Sequence, residues 1–194
     1  MGSTSVNFAR AGADYTAIEL SEASLELTKK RFSIYGLQGT FHLGSAEDLL
    51  TIVPAQDFDL VYSFGVLHHT PNPKIAIDSA KQYLGPESEF RLMMYAQNSW
   101  KNIMIESGYD RPEAQSGCPV AYTYTHDELR LLLKDYEILD MHQDHIFPYR
   151  IDKYLQYEYE YQPWFNAMPK DMFQSLERAL GWHILISCKL KHNS

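Results

Sequence analysis

Two adjacent histidines, His68 and His69, are the residues of this chain best suited to acid–base chemistry. They follow an apolar run that is typical of a buried strand and that ends in Phe64, Gly65 and Val66. An unperturbed imidazole has a pKa of about 6.5, so either ring could take a proton from a hydroxyl or an amine. The alternative is that the two rings only hold the loop or line a pocket.

A carboxylate, Glu19, lies where a β-prone run at residues 15–18 ends. An acid at the carboxyl end of a sheet strand can accept hydrogen bonds from both hydroxyls of a ribose. The competing interpretation is a solvated acid near the N-terminus of the following helix, where the helix dipole favours negative charge.

A third polar segment, residues 44–48, follows a short predicted strand at 40–43. Its glycine permits a tight path, and Ser45 or the backbone amide of Ala46 could bond the edge of an adenine ring. Ser45 could equally be the N-cap of a short helix with Asp48 at its third position. The two interpretations are compatible.

The elements that must position these residues alternate along the first half of the chain. Helices are predicted at residues 4–11, 22–35 and 74–84, a turn at 85–88, and strands at 15–18, 40–43, 58–63 and 89–95. This alternation predicts an α/β fold built on a doubly wound, mostly parallel sheet.

The second half of the chain follows a different pattern. Thr125 and Glu128 have the spacing of a capping box, which predicts the start of a helix. Residues 136–141 and 181–190 are the last predicted strands, and we expect them to form an antiparallel edge of the sheet.

An aromatic-rich segment at residues 148–178 lies between those last strands. Its rings are Tyr149, Tyr154, Tyr157, Tyr159, Tyr161, Trp164 and Phe165. We interpret it as a helical insertion over the crevice of the sheet, so that residues 1–194 form one domain with cap or lid elements within 98–178. The rings could form a substrate lid or a cage for a cation, or they could pack helices against the sheet.

Composition excludes several function classes. The net charge of -8 and the pI of about 5.4 argue against nonspecific binding to nucleic acid or to an anionic membrane. No apolar run reaches the roughly 18–20 residues that span a bilayer, and no secretory signal pattern is present. Cys118 and Cys188 are predicted to be free thiols, and His142 and His145 to point to opposite faces of a strand. We therefore expect a cytoplasmic protein without a metal site.

The run FDLVYSFGVLHH at residues 58–69 closely resembles the fourth strand and following loop of class I S-adenosylmethionine-dependent methyltransferases. The acid at position 19 and the Gly-Ser-Ala-Glu run at 44–47 stand in the order that this family shows. The resemblance covers residues 3–95. It implies a Rossmann-like methyltransferase sheet with an aromatic-rich helical insertion. It also implies methyl transfer from S-adenosylmethionine to a small molecule, with S-adenosylhomocysteine as product.

The resemblance also implies cofactor contacts in the first half of the chain. Glu19 would hold the ribose of S-adenosylmethionine, and Leu20 would lie against the adenine. The family often has an aspartate at the position of Ser45, where it binds the adenine amino group. With serine there, the backbone at Ala46 and Glu47 is the expected contact.

The loop after the fourth strand is implied to hold the other end of the cofactor. Phe64, Gly65 and Val66 would pass under the methionine part, which brings His68 and His69 close to the methyl donor. Either histidine is a candidate general base. Transfer to an already nucleophilic atom needs little more than alignment and desolvation, so a base is not strictly required.

The family's first strand and the Gly-rich turn after it are almost wholly absent. Gly2 is a candidate for the last glycine of that turn, and the alternative is a residue that belongs only to the start site. Three explanations fit: a truncated reading frame, direct pairing of the strands at 15–18 and 58–63, or a homodimer in which a partner chain replaces the missing strand by exchange.

The alternative function is a truncated or degenerate methyltransferase fold that acts as a binding or scaffold protein without catalysis. A nicotinamide-dependent oxidoreductase is disfavoured, because it needs G-x-G-x-x-G after its first strand and the chain has no such run.

Overall fold

The computed structural model describes residues 2–111 and 120–191, and Cys118 lies outside these ranges. The chain forms two compact units, Met1–Gln56 with Lys74–Tyr83 and Asp57–Pro73 with Leu84–Ser194. We name them the first and the second unit. Each unit contains a sheet of its own.

Among its described residues, the first unit contains two parallel strands and four α-helices. Its elements are α1 (Ser3–Arg10), β1 (Thr16–Glu19), α2 (Glu22–Ile34), β2 (Thr40–Leu43), α3 (Leu49–Ile52) and α4 (Pro73–Ala80). Strand β1 pairs with β2 along its whole length, from Thr16 beside Thr40 to Glu19 beside Leu43. Strands that are parallel end at the same edge of a sheet, so the segments after β1 and β2 emerge together.

An aromatic cluster holds α2 against this pair of strands. The ring of Phe32 lies 5.4 Å from that of Tyr15 and 5.0 Å from that of Phe41, and Phe32 is almost fully buried. At the start of α2 the Ser21 hydroxyl accepts a hydrogen bond from the Ser24 backbone N–H at 3.3 Å. The predicted cap and the predicted helix are both confirmed.

The second unit contains five strands and five helices within the described residues. They are β3 (Phe58–Phe64), β4 (Leu84–Ala96), α5 (Trp100–Glu106), β5 (Thr123–Tyr124), α6 (His126–Leu132), β6 (Tyr136–Asp144), α7 (Ile151–Tyr154), α8 (Pro163–Asn166), α9 (Lys170–Leu180) and β7 (His183–Leu190). The sheet order is β3-β4-β7-β6, and the short strand β5 pairs with the carboxyl end of β4. Strands β3 and β5 run parallel to β4, whereas β7 is antiparallel to β4 and to β6.

The antiparallel edge is confirmed. Strand β7 alternates between half-buried and buried residues up to its last residue, and Ile184, Ile186 and Cys188 form its buried face. That alternation identifies a strand with one face on a core, and β7 lies between β4 and the edge strand β6.

The predicted turn at residues 85–88 is wrong. These residues lie inside β4, because pairing with β3 holds on both sides: Phe58 faces Leu84, and Leu60 faces Glu89. The extra residues bulge out of the ladder, and the Gly85 N–H donates to the Ser88 hydroxyl at 2.9 Å.

Direct pairing of the strands at 15–18 and 58–63 is also wrong as an explanation for the missing turn. In the part of the chain that the structure describes, β1 bonds to β2 and β3 bonds to β4, in separate sheets. Among the same residues, every helix is too short or too polar to cross a membrane.

Candidate functional site

The predicted ribose acid lies at the carboxyl edge of the first unit's sheet. Glu19 is the last residue of β1, and its Oε1 accepts a hydrogen bond from the Ser21 backbone N–H at 3.0 Å. Its backbone carbonyl accepts from the Gly44 N–H at 2.9 Å. Leu20 follows with 74% of its surface exposed. The structure therefore brings Glu19, Leu20 and the segment after β2 to one edge.

Ser45 caps a single helical turn at this edge. Its hydroxyl accepts from the Glu47 backbone N–H at 3.1 Å and so opens the turn Ala46–Asp48. The bonded amide is that of Glu47, whereas the Asp48 N–H donates to the Ser45 carbonyl at 3.0 Å. The capping interpretation is confirmed.

Gly2 fits a space that no side chain could enter. Its φ is 71°, in the left-handed region, and a Cβ built there would lie 2.7 Å from the Thr28 Oγ1 and 2.9 Å from its Cγ2. Its carbonyl accepts from the Val6 N–H at the start of α1. Close approach of the turn to α2 thus requires glycine, as at the last glycine of a dinucleotide-binding turn.

The carboxyl end of β3 exposes two apolar side chains around a glycine. Phe64 is 47% and Val66 46% exposed, and Gly65 between them has a φ of 75°. A Cβ on Gly65 would be 3.7 Å from the Met93 Cε, an ordinary contact, so it is the backbone that favours glycine here.

The two histidines lie in different surroundings. His68 is fully buried, and its ring lies 3.7 Å from that of Tyr95. His69 is half-buried, with Nδ1 2.7 Å from the carbonyl oxygen of Val120. A carbonyl can only accept, so Nδ1 carries the proton and a neutral His69 ring has its lone pair on Nε2.

A series of ring contacts leads from β3 across the ends of β4 and β7. Phe64 meets His183 edge to face at 5.7 Å, and His183 is stacked at 6.2 Å on its register partner Tyr95. Tyr95 is also stacked on Trp182 at 4.1 Å and lies 5.4 Å from His69. These contacts join the histidine loop to the cavity beyond.

That cavity, which we name the aromatic cavity, has a volume of about 280 Å³. Its lining residues are Tyr95, Lys101, His145, Phe147, Tyr149, Tyr154, Tyr159, Trp182 and His183. Tyr95, Lys101, Phe147 and Trp182 are buried and form the floor, while Tyr159 is 63% exposed and lies at the rim. The predicted aromatic insertion therefore contributes to a cavity as well as to packing.

Lys101 is the charged group of the cavity floor. It lies on α5 and is almost fully buried, and its Nζ is 3.1 Å from the Oδ2 of Asp110, which is also buried. The same Nζ lies 3.9 Å from the centroid of the Phe147 ring and 4.6 Å from that of Tyr154. A buried ammonium needs such partners, because its desolvation is costly.

His145 contributes a neutral imidazole. Burial lowers its pKa, Asp144 partly offsets that effect, and the charge of Lys101 adds to it. Its ring is stacked on His183 at 4.7 Å, and its φ is 60°. His142, by contrast, lies on the exposed part of β6 with Nδ1 2.7 Å from Asp140. The prediction that both histidines lie on one strand is wrong, because β6 ends at Asp144 and His145 follows it.

Burial also sets the chemistry of two other groups in this unit. It raises the pKa of the Cys188 thiol to about 12, which makes that thiol unreactive. Burial raises the pKa of Tyr149, and the neighbouring Tyr161 adds to the effect. The phenol of Tyr149 at the cavity is therefore neutral.

Sequence reasoning missed the floor of this cavity. Tyr95 and Trp182 belong to apolar strand ends, and Lys101 and Asp110 are nine positions apart with no motif around them. A signal was available in the polar break after the apolar run at residues 92–96, because the ends of strands in an open α/β sheet form ligand crevices.

The methyltransferase domain family matches residues 1–92 of the chain. This part of the chain, a little under half of it, is similar to the methyltransferase domains of S-adenosylmethionine-dependent enzymes. A ubiquinone biosynthesis O-methyltransferase from Azoarcus sp. is 35% identical over 85 residues, which are 44% of this chain and 36% of the relative. The chain thus spans little more than a third of the curated relatives it matches.

Solved structures confirm the methyltransferase fold over nearly the whole chain. The YcgJ protein from Bacillus subtilis gives a TM-score of 0.67 at 14% identity, over 97% of this chain and 88% of that one. Magnesium protoporphyrin IX methyltransferase from Synechocystis, solved with bound S-adenosylhomocysteine, gives 0.61 at 16% identity, over 98% and 70%. S-adenosylmethionine is the cofactor of this family.

Proposed function

We propose that the chain transfers a methyl group from S-adenosylmethionine to a small-molecule acceptor bound in the aromatic cavity. The observation that carries this proposal is the unbroken series of ring contacts from Phe64 through His183 to Tyr95. It joins the strand end expected to hold the methyl donor to a cavity of about 280 Å³. Small ligands bind in concave spaces that combine aromatic walls with a few polar groups.

The first unit supplies the groups that fit the nucleoside part of the cofactor. We propose that Glu19 accepts hydrogen bonds from the ribose hydroxyls, since its carboxylate is fixed at the strand end by the Ser21 N–H. Leu20 offers an exposed apolar surface to the adenine. The Ser45 hydroxyl already bonds Glu47, so the backbone of Ala46 is the proposed adenine contact.

The second unit supplies the groups that fit the methionine part. We propose that Phe64, Gly65 and Val66 lie along it, because the glycine turns the backbone while the two side chains remain accessible. His69 is the better candidate base of the histidine pair, since His68 is fully buried against Tyr95.

The proposed reaction needs little chemical assistance from the side chains of the protein. S-adenosylmethionine supplies an electrophilic methyl group. The acceptor's lone pair forms a bond to the methyl carbon, the carbon–sulfur bond breaks, and its electron pair stays on sulfur. The acceptor then loses a proton to a base or to solvent. Alignment and exclusion of water by the aromatic walls account for most of the acceleration.

The aromatic-rich segment at residues 148–178 is proposed to act as the cap of the acceptor site. This segment contributes Tyr149, Tyr154 and Tyr159 to the cavity lining. The backbone of Tyr149 forms an isolated antiparallel β-bridge with that of Tyr161. A second copy of the chain is the proposed partner of β3. In the described residues this strand pairs on one side only, and Tyr62 and Phe64 are exposed on it.

A rim substitution tests the acceptor site without disturbing the core. Tyr159→Ala is expected to raise the KM for the acceptor severalfold, because one wall of the cavity is lost. Affinity for S-adenosylhomocysteine is expected to stay unchanged. The readout is formation of S-adenosylhomocysteine with a set of small hydroxyl, amine and thiol acceptors.

The matched control is Tyr157→Ala, an exposed ring of the same segment that does not line the cavity. Equal effects of the two substitutions would place the acceptor elsewhere. Cofactor binding without turnover of any acceptor would favour a non-catalytic binding protein.

A further inference from the structure

Helix α2 carries apolar residues on two of its sides. Its inner side, with Leu25 and Phe32 buried, packs on the aromatic rings of the first unit's sheet. On the outer side Leu27 is 53% and Ile34 is 70% exposed. Single exposed apolar residues are ordinary, but apolar residues repeated along one line of a helix indicate a contact surface. We name this line the outer seam of α2, and its exposed residues are Ala23, Leu27, Lys30 and Ile34.

The spacing of the outer seam fits a second helix. Its positions 23, 27, 30 and 34 follow one another at intervals of four, three and four residues. This alternation keeps side chains on one side of an α-helix, and it is the spacing with which two helices pack along their length. Lys30 is the charged member of the seam, and a charge at such a position restricts register and partner. The seam therefore fits a helix that brings a carboxylate beside Lys30.

The charges of α2 are divided between its two halves. Glu22 and Glu26 lie in the N-terminal half, whereas Lys29, Lys30 and Arg31 lie in the C-terminal half. This polarity suits the helix dipole, and it also selects a partner. A second α2 that runs antiparallel places its acidic half beside the basic half of the first, and symmetry repeats the match. A parallel copy would place like charges side by side, which is unfavourable.

The register of an antiparallel pair follows from Leu27, because a two-fold axis there brings this side chain against its own counterpart. Glu26 lies one residue before the axis and Lys30 three residues after it, on the same side of the seam. Glu26 of one copy and Lys30 of the other are therefore offset by two residues, about 3 Å along the helix. Ala23 stands opposite Arg31 of the other copy and leaves room for the longer side chain.

We propose that two copies of this chain associate through the outer seams of α2, antiparallel and related by a two-fold axis at Leu27. This inference goes beyond the proposed function and does not depend on methyl transfer or on pairing at β3. The contact follows one helix of 13 residues, which is about 20 Å long. An interface of that size is small, so the dissociation constant is expected to be on the order of 10 to 100 μM.

Sedimentation equilibrium of the full chain, between roughly 5 and 500 μM, tests the apolar part of the seam. Wild type is expected to gain mass with concentration. Leu27→Asp places two like charges at the axis and is expected to lose this association step. Leu50→Asp is the matched control, because Leu50 lies on α3 of the same unit and is also 53% exposed. It is expected to associate as wild type does, and urea midpoints of both variants verify that they are folded.

Charge exchange tests the antiparallel register. Glu26→Lys and Lys30→Glu are each expected to weaken association at least tenfold, because like charges then meet across the seam. An equimolar mixture of the two variants is expected to regain the mass of wild type, since each basic group in one variant faces an acidic group in the other. Glu26 also pairs with Lys29 of its own helix at 2.8 Å, but an exposed pair of this kind contributes little to folding.

Three outcomes would overturn the inference. Wild type and Leu27→Asp could have equal masses at every concentration, which would leave pairing at β3 as the remaining route to a dimer. The mixture of charge variants could fail to regain the mass of wild type, which would exclude the antiparallel register. Wild type could remain monomeric and bind phosphatidylcholine vesicles that Leu27→Asp does not bind, which would assign the outer seam to a lipid surface.

Discussion

At the scale of single residues, the tightest steric requirement near the candidate cofactor site is at Gly2. Its left-handed backbone and its contact with Thr28 each exclude a side chain. Gly2→Ala is therefore expected to cost about 1–3 kcal/mol of unfolding free energy. Urea denaturation measures the loss.

Gly12→Ala is the matched control for that substitution. Gly12 is also left-handed, with a φ of 92°, but nothing lies within 4 Å of its Cβ position. The Gly12→Ala variant should lose less unfolding free energy, about 1 kcal/mol, because only its backbone is strained. Equal losses at the two positions would show that the contact with Thr28 has no energetic weight.

His145 predicts a pH dependence of stability. Burial lowers its pKa in the folded chain, and Asp144 and Lys101 modify that shift in opposite directions, with His183 stacked on the ring. The unfolded chain therefore takes up a proton first as pH falls below about 6.5, and stability declines in that window. His126 adds to the decline, because burial lowers its pKa too.

His145→Asn should flatten this decline, and asparagine tolerates the left-handed backbone at this position. Urea midpoints measured between about pH 8 and about pH 5 provide the test. The difference in urea midpoint between variant and wild type at about pH 8, where imidazole is neutral, is the internal reference. An unchanged slope would contradict the assignment of the lowered pKa to His145.

Single residues at strand ends could be predicted from the sequence, and those of the cavity floor could not. Glu19 and Gly65 stand directly after apolar strands, so strand periodicity alone places them at a sheet edge. Lys101 and Asp110 meet through tertiary packing, and nothing in their local sequence marks the pair.

At the scale of elements, local rules explain where α6 begins. The Thr125 hydroxyl accepts from the Glu128 N–H at 3.2 Å, and the Glu128 carboxylate accepts from the Thr125 N–H at 2.8 Å. These bonds lower the pKa of Glu128. Both halves of the capping box were readable from four residues of sequence.

Thr125→Ala should destabilise the chain by about 1 kcal/mol, since two amides at the start of the helix lose their bonding geometry. The urea midpoint is the measurement. Thr51→Ala is the control, because Thr51 bonds only the Asp48 carbonyl of an exposed turn. A loss at Thr125 no larger than at Thr51 would contradict a role of the capping box.

Elements that depend on distant pairing were predicted less well. The four residues at 85–88 have turn composition, yet they bulge within β4 because β3 pairs with that strand on both sides of them. Strands β6 and β7 were nevertheless predicted close to their observed positions, although β6 runs on to Asp144.

At the scale of the whole molecule, the order of strands and helices was enough to predict the α/β class. The methyltransferase family was predicted from the resemblance of the run at residues 58–69. The division of the strands between two sheets could not be predicted from the sequence, because each apolar run is equally compatible with pairing in a single sheet. Strand partners are chosen by long-range pairing, which local composition does not record.

The measurement that tests the central claim most directly is calorimetric titration of S-adenosylhomocysteine into the chain, with the mass in solution determined on the same sample. We predict saturable binding, about 1–3 kcal/mol weaker in Glu19→Ala and unchanged in Glu22→Ala, an exposed acid of the next helix. A mass of two chains would support the proposed homodimer. Absence of binding to the folded chain at millimolar ligand would contradict the account.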